Sequence, residues 1–526
     1  YWIGAQSLYG NAGGDLMYRF QRVSPMALSP HDPEVLYYGS QHVHRTRDLG
    51  VTWEKISPDL TAFDECCQGA SGGPITRDVT GEEFYSTLYA ITESTLEKGV
   101  IWTGANDGPF HVTRDDGKTW TNVTPKDLPK GGRVAWIDAS PHRKGSAYFA
   151  VYRYLLGDYH PYIYRTDDYG ATWTRLTDGT NGIPADWPTR VVREDPDRAG
   201  LLYAGTEFGM FVSFDNGASW KSFQLNMPNV PINEIKVYRK DLVIATQGRG
   251  FWIFDNLTPV QQMAAQAAAP AAPAPLKVFK PREGYRTRTS PGTLGPTIDY
   301  FLPAAPEGHV TIDILDAKGD VVNSYSSAAP AGGGAGRGGR GGRGGGAPAA
   351  AADSAVGRVT RTAGFNRFVW DVRHRNGLAV APAQYTARVT VGGTALSENF
   401  TVLIDPRVAA DGVTPADLQE QFDHGVRVAA LGASVNQTLA RVRTAQQQFA
   451  SGATANPEKL KIVNSLADKI NTQPVRYGKP GLQAHIQYIS RLGMGVDQKV
   501  GRDAIERYGV LKAELDAIIA ELDRLK

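Results

Sequence analysis

The chain has 526 residues, with 56 Lys+Arg against 54 Asp+Glu and a formal charge of +2. That length accommodates about two to four domains, and the balanced charge gives no global field to recruit nucleic acid or an anionic membrane. The only two cysteines, Cys66 and Cys67, are adjacent, which rules out a disulfide framework and a thiolate metal site.

No run approaches the roughly 18 apolar residues that span a bilayer. The start, Tyr1-Trp2-Ile3-Gly4, has neither an initiator Met nor a signal-peptide pattern. It reads as a processed product or the C-terminal portion of a longer polypeptide, with any signal peptide outside this chain.

From the N-terminus, an octapeptide of the form [ST]-x-D-x-G-x-[ST]-W recurs four times. It carries Asp48, Gly50 and Trp53; Asp115, Gly117 and Trp120; Asp168, Gly170 and Trp173; and Asp215, Gly217 and Trp220. The aspartates are 67, 53 and 47 residues apart, the self-similarity expected of a repeat architecture. Each octapeptide reads as a hairpin turn: the Asp carboxylate accepts amides of its own loop, Gly supplies a positive φ, and the Trp packs under the turn. Chemistry of this kind satisfies itself, so these residues read as structural rather than catalytic.

Between the turns lie β-branched and aromatic runs, for instance residues 87–92, 100–103, 110–113 and 119–123, four strands to a repeat. Four antiparallel strands per repeat describe a propeller blade. A last partial blade over residues 232–254 lacks a fourth strand and leaves an edge to be paired. The residues before Met26 offer a strand only at residues 1–3, so a larger ring is expected, completed by a missing or separate N-terminal propeller segment.

The phrases Ser71-Gly72-Gly73-Pro74-Ile75-Thr76, Tyr203-Ala204-Gly205-Thr206-Glu207-Phe208-Gly209 and Ala245-Thr246-Gln247-Gly248-Arg249-Gly250-Phe251-Trp252-Ile253, taken with the repeats, resemble a known group. It is the large secreted bacterial proteins with sortilin-like, neuraminidase-repeat (Asp-box) β-propellers, often labelled glycosyl hydrolases. The resemblance covers residues 18–259 closely and continues more weakly beyond. It implies a secreted, periplasmic or cell-surface protein whose full chain has further N-terminal blades. The hydrolase label rests on fold analogy, which is a weak warrant for activity.

The remaining divisions follow from composition. Residues 1–259 read as blades and the Ala/Pro-rich residues 260–275 as a linker. Residues 276–406 alternate as an immunoglobulin-like β-sandwich does, interrupted at 328–352 by a Gly/Arg-rich insertion with Arg337, Arg340 and Arg343. Such runs can grip single-stranded nucleic acid, but three charges inside a sandwich loop read as a disordered hairpin. Residues 407–526 have a helical period. Thr414-Pro415-Ala416-Asp417 announces a helix, with Leu418, Phe422, Val426 and Ala429 along one face. Tyr508, Leu511, Leu515, Ile518, Leu522 and Leu525 mark a second helix, with Leu460, Val463, Leu466 and Ile470 as its partner in a hairpin or bundle. Assembly through this tail is the other use of such a seam. The fold class is therefore mainly β, with a C-terminal helical domain.

Ligands of a propeller are expected on the face opposite the Asp turns. That face should carry Asp158, Tyr159, His160, Trp187, Arg190, Phe208 and Arg249, together with Asp107, Asp186, Glu207 and the segment 62–83. A glycosidase needs two carboxylates about 5–10 Å apart, and Asp107 and Glu207 occupy matching loops of different blades, although tight turns also use such acids. Sialidase chemistry would need converging arginines, and Arg133, Arg190 and Arg249 could serve, but no Arg-Ile-Pro signature accompanies them. His42 and His44 lack a third ligand and read as surface residues. No phosphate loop and no Gly-x-Ser-x-Gly elbow is present, so no metal and no cofactor is expected.

The expected function is a secreted binding or scaffold protein that presents its face to protein, peptide or glycan. The alternatives are a glycoside hydrolase acting on polysaccharide through paired carboxylates and a structural subunit of a cell-surface assembly.

Overall fold

A computed structural model describes the chain except residues 1–9, 71, 73–83, 265–274, 288–294, 329–356, 453–454, 473–477, 493–494 and 526. The expected strand at residues 1–3, most of the phrase at 71–76 and nearly all of the Gly/Arg-rich insertion lie outside the described residues. The chain divides into two compact units, Tyr1–Pro270 and Ala271–Lys526.

The first unit is built from five successive antiparallel sheets. The first is β1 (Met26–Leu28), β2 (Leu36–Gly39), β3 (Val43–Thr46) and β4 (Glu54–Lys55). The second is β5 (Leu88–Glu93), β6 (Ile101–Ala105), β7 (Phe110–Thr113) and β8 (Thr121–Asn122). The third is β9 (Arg133–Ala139), β10 (Ala147–Arg153), β11 (Asp158–Thr166) and β12 (Thr174–Arg175). The fourth is β13 (Thr189–Glu194), β14 (Leu202–Thr206), β15 (Gly209–Ser213) and β16 (Lys221–Ser222). The fifth has three strands among the described residues, β17 (Ile232–Tyr238), β18 (Asp241–Thr246) and β19 (Phe251–Phe254). Each sheet is a simple meander. The inner strands β5, β9, β13 and β17 pack side by side, which makes the sheets blades of a β-propeller.

Blades stack through apolar faces because their strands are rich in aromatic and β-branched residues. Phe110 of the second blade stacks on Phe149 of the third with ring centroids 4.2 Å apart, and Trp102 meets the same ring edge-on. Phe110, Phe149 and Trp102 are all essentially fully buried.

The Asp turns sit between the third and fourth strands of four blades. In the third blade the Asp168 carbonyl accepts from Ala171 N, with Tyr169 and Gly170 both at positive φ (57° and 85°). This is the type I′ geometry that matches strand twist. Thr166 Oγ1 accepts from Gly170 N at 2.8 Å, and Asp168 accepts from Thr172 N at 2.8 Å.

The tryptophans do something the sequence pattern did not suggest. Rather than only packing under their own turns, Trp120, Trp173 and Trp220 donate from Nε1 to the carbonyls of Ile56, Val123 and Leu176, each just past the last strand of the preceding blade. Each turn therefore fastens two blades together. Trp53, in the first blade, donates instead to Gly50 of its own turn at 3.2 Å.

Helix α1 (Thr258–Ala264) follows β19 and corrects the expectation that the linker begins at 260. Asn256 accepts from Thr258 N, Pro259 fits the first turn, and Val260 and Ala264 are buried against the fourth and fifth blades. Apolar docking of this face outweighs the linker-like composition.

In the second unit two sheets face each other. One orders β20 (Lys277–Val278), β22 (Thr297–Leu302) and β25 (Gly364–Val369). The other orders β21 (Gly284–Arg286), β27 (Thr394–Ile404), β26 (Gln384–Val391), β23 (Val310–Leu315) and β24 (Val321–Ser326). Tyr300, Phe368 and Trp370 from one side and Ile312, Val389 and Phe400 from the other fill one core.

The helices are α2 (Pro406–Ala410), α3 (Pro415–Ala450), α4 (Pro457–Ile470), α5 (Leu482–Leu492) and α6 (Arg502–Asp523). Thr414 and Asp417 cap α3 reciprocally. Leu511, Leu515, Ile518 and Leu522 of α6 share a core with Val463, Leu466 and Ile470 of α4 and with α3 and α5. The expected face of α3 is shifted: Leu418 is buried, but Val426 and Ala429 are exposed and Gln421, His424 and Val428 are buried in their place. Burial of the two polar residues, Gln421 paired with Arg286, explains why an apolar pattern alone misplaced the stripe.

Candidate functional site

In each blade the turn between the second and third strands lies at the end opposite the Asp turn, beside the entry into the next blade's inner strand. Asp107 and Glu207 both occupy such turns, after β6 and β14.

Asp107 is 3% exposed. Its Oδ2 accepts from the backbone amides of Ala62 and Phe63 at 3.0 and 3.2 Å. Burial pushes its pKa up against the pull of these donors and of Ser86. The carboxyl thus ties the long loop between the first two blades to the second blade.

Glu207 accepts from Arg190 Nε at 2.5 Å, with side-chain exposures of 16% and 14%. Arg190 also donates to Asn233 Oδ1 at 3.2 Å and to the Tyr154 hydroxyl at 3.4 Å. The two candidate acids therefore belong to different hydrogen-bond groups: Glu207 is paired with Arg190, while Asp107 is engaged through Oδ2 and its buried Oδ1 has no hydrogen-bond partner among the described residues.

Around Arg190 the inner strands assemble a cluster that sequence reasoning caught only in part. Tyr152 and Tyr154 stack with centroids 5.1 Å apart. The Arg190 guanidinium lies 5.2 Å from the Tyr152 ring, and that of Arg133 lies 5.4 Å from the same ring and 4.6 Å from Tyr89. Arg133 Nη1 donates to the Tyr152 hydroxyl at 2.7 Å. Arg133 and Arg190, two of the three arginines weighed for sialidase chemistry, both lie against the Tyr152 ring. Arg249 is exposed in the turn after β18, and among the described residues nothing joins it to them. Burial pushes the Tyr152 phenol well above its ordinary range despite both guanidiniums, so it is a neutral donor and acceptor rather than an activated nucleophile. The tyrosines were missed because aromatics in a strand, such as Tyr89 and Tyr152, or just past its end, such as Tyr154, read as core.

Farther along the same strands, Arg193 pairs with Asp138 and Glu234 at 2.8 and 2.7 Å and lies 4.2 Å from the Trp136 ring.

The other candidates are spread over the face. Asp158 accepts from Arg153 Nε (2.7 Å), His160 and the Tyr162 hydroxyl (both 2.8 Å). Burial would raise its pKa, but these donors hold it far below the usual carboxylate range. Tyr159 and His160 are exposed. Trp187 is half-buried against Phe208 and Phe211, and Phe208 is 43% exposed. Asp186 is exposed.

The expectation that His42 and His44 are surface residues is corrected. His44 is 1% exposed because Tyr18 and Phe20 cover it, at centroid distances of 4.9 and 5.7 Å, and His42 is half-buried. Cys66 and Cys67 are exposed free thiols with Sγ atoms 3.1 Å apart. Among the described residues no group of three or more His, Cys, Asp or Glu is placed to hold a metal ion, and no helix is long and apolar enough to cross a membrane.

No protein-family profile matches the chain. A curated relative, the oligoxyloglucan-reducing end-specific xyloglucanase of Emericella nidulans, is 28% identical over 115 residues, which is 20% of this chain and 13% of that protein. Among solved structures, the GH74 xyloglucanase of Xanthomonas campestris is similar with a TM-score of 0.34 and 17% identity, over 44% of this chain and 36% of that one. YCF48 bound to D1 peptide gives 0.30 and 18%, over 46% and 66%. The GH74 enzyme of Niastella koreensis gives 0.32 and 15%, over 44% and 36%. The chain thus spans a small part of its curated relative and about a third of each of these two GH74 enzymes.

Proposed function

We propose that the first unit is a binding or scaffold module of an exported protein, presenting the face around Arg133, Arg190 and Glu207 to a ligand. One observation carries this reading. Neither of the two acids best placed for glycosidic chemistry stands open: Asp107 is buried, held through Oδ2 by the Ala62 and Phe63 amides, and Glu207 is paired with Arg190. A retaining or inverting hydrolase needs one carboxyl free to protonate the leaving oxygen and another open to the sugar or to water. The test is reducing-sugar release from xyloglucan and other β-glucans, with Asp107→Asn and Glu207→Gln as controls. No release is expected. Release that both substitutions abolish would establish a hydrolase instead.

The second reading, a polysaccharide hydrolase, is supported by the 115-residue similarity to a xyloglucanase. Under that reading Glu207 would have to leave Arg190 when substrate binds.

The propeller ring is completed, on this proposal, by a further segment, covalent or separate. Met26 and Leu28 on β1 are each 68% exposed, and Phe251 and Ile253 on β19 are 82% and 65% exposed. A closed ring would cover such apolar strand faces. The turned-back Trp53, without a preceding blade to bond, fits the same view. The octapeptides are read as Asp boxes of the sortilin-like group, the two-sheet domain as immunoglobulin-like, and the later domain limits as 276–406 and 407–526. A structural subunit of a cell-surface assembly remains a distinct role for the same fold, testable from the size of the native particle.

A further inference from the structure

Several arginines of the first unit are matched to acids. Arg153 pairs with Asp158, Arg190 with Glu207, Arg193 with Asp138 and Glu234, and Arg45 with Glu54 and Asp116. Arg133, at the start of inner strand β9, has no ion pair among the described residues. Its Nη1 reaches two phenol oxygens, Tyr152 at 2.7 Å and Tyr89 at 3.4 Å. Its Nε is buried without a hydrogen-bond partner.

Phenol oxygens solvate a guanidinium but do not neutralise it. Arg133 is half-buried, and the low-dielectric strand edge around it strengthens any charge it meets. The group Arg133, Arg190 and Glu207 carries a net positive charge, with Arg190 already matched to Glu207. The guanidinium fork of Arg133 is planar and suits a carboxylate held by two parallel hydrogen bonds. The Tyr89 and Tyr152 hydroxyls accept from Arg133, and a phenol that accepts can still donate its own proton to the same anion.

We propose that Arg133, flanked by Tyr89 and Tyr152, is a carboxylate-recognition site for an acidic peptide. This rests on the binding-module reading and names its ligand class. A peptide is favoured over an acidic glycan because saccharides dock on free aromatic faces, and the rings here are already engaged: Tyr89 and Tyr152 by guanidiniums, Tyr154 by Tyr152. The neighbouring Asn233, exposed beside Arg190 on β17, offers an amide of the kind that pairs with peptide backbone.

The experiment is fluorescence anisotropy of the full chain with a fluorescein-labelled Gly-Gly-Gly peptide ending in four glutamates, and with its four-glutamine counterpart carrying an amidated C-terminus. The glutamate probe is expected to bind and the glutamine probe not. Affinity should fall as salt is raised from about 50 to about 300 mM, since the contact is ionic. Arg133→Met should weaken binding about tenfold, the range of a lost charge-assisted contact, and Arg133→Lys should recover part of it. Lys144→Gln removes an equal charge from an exposed position in the β9–β10 turn, on the Asp-turn side, and should change nothing. Unfolding temperatures taken alongside separate lost binding from lost folding.

Equal binding of the two probes, absence of binding, or equal loss in Arg133→Met and Lys144→Gln would overturn the site. So would an Arg133→Lys variant no better than Arg133→Met, or competition by tetragalacturonate as strong as by free tetraglutamate. None of these outcomes touches the hydrolysis assay, so failure of the site and failure of the binding-module reading are read separately.

Discussion

Arg190 and Glu207 face each other across the turn that joins β14 to β15, Nε to Oε1 at 2.5 Å, although 17 residues separate them in the chain. The pair joins the inner strand of the fourth blade to its own second turn. Its neighbours, Tyr154 of the third blade and Asn233 of the fifth, make it a junction of three blades.

Because both side chains are mostly buried, removing one partner leaves an uncompensated charge. Glu207→Ala should cost about 2–3 kcal/mol, somewhat below the range for fully buried pairs. The double variant Arg190→Met with Glu207→Leu should cost less than the sum of the singles. Chemical unfolding followed by tryptophan fluorescence reads both, and strict additivity would show that the pair is energetically idle.

The Asp turns should fail at their glycines more than at their hydroxyls. A Cβ on Gly170 would lie 2.6 Å from Val123 Cβ of the preceding blade, at a φ of +85°. Gly170→Ala should therefore cost about 3 kcal/mol from combined backbone strain and overpacking. Thr166→Ala removes one acceptor for Gly170 N and should cost about 1 kcal/mol. The order of the two midpoints in denaturant is the check.

What could be read in advance divides along a physical line. The octapeptides were legible because a type I′ turn demands particular residues at fixed offsets, whatever lies around it. The bonds from Trp173 to Val123 and from Trp220 to Leu176 were not, since they depend on which blade stacks before which. Arg133 and Arg190 could be picked out as polar residues in apolar strands, but Tyr89, Tyr152 and Tyr154 look like core until the inner strands are set side by side. His44 misled for a related reason: its cover, Tyr18 and Phe20, comes from a segment without regular structure, where no periodicity signals burial. The buried Gln421 and His424 on α3 hid the helix face in the same way.

Acid should weaken the first unit in two stages. Burial, reinforced by His42 and Lys55, pushes the His44 imidazole from 6.5 down to about 4. Burial does the same to His111 against the opposing pull of Asp59. The unfolded state then binds more protons than the folded state below the ordinary histidine range, so stability falls with falling pH between about 6.5 and 4. For His44 the loss is on the order of 3 kcal/mol. The turn aspartates Asp48 and Asp115 behave oppositely in cause: hydroxyl and amide donors pull both down to about 2. Their contribution holds above 3.8 and disappears as pH falls toward 2. His44→Gln should shrink the upper stage to the part due to His111 and leave the lower one, in unfolding temperatures measured from pH 7 to pH 3. An unchanged upper slope in that variant would remove His44 as its source.

In the second unit the most consequential ion pair is Arg286 with Asp497, Nη2 to Oδ1 at 2.9 Å, with side-chain exposures of 2% and 4%. Arg286 ends β21 and also donates from Nη1 to the Val380 carbonyl and from Nη2 to Gln421 of α3. The sheets, the long helix and the loop before α6 therefore meet at one guanidinium. Two charges so deeply buried gain from each other about what they lose in leaving water, so the pair specifies an arrangement more than it stabilises one. Asp497→Ala, which strands the guanidinium, should cost about 3–5 kcal/mol. Arg286→Met combined with Asp497→Leu should come close to the parent in stability, because neither charge then needs a partner. Gln421→Ala should fall between them, at about 1–2 kcal/mol. Thermal unfolding of the four proteins decides the point. A double variant as unstable as Asp497→Ala would mean that packing around the pair, and not its charge balance, is what this junction requires.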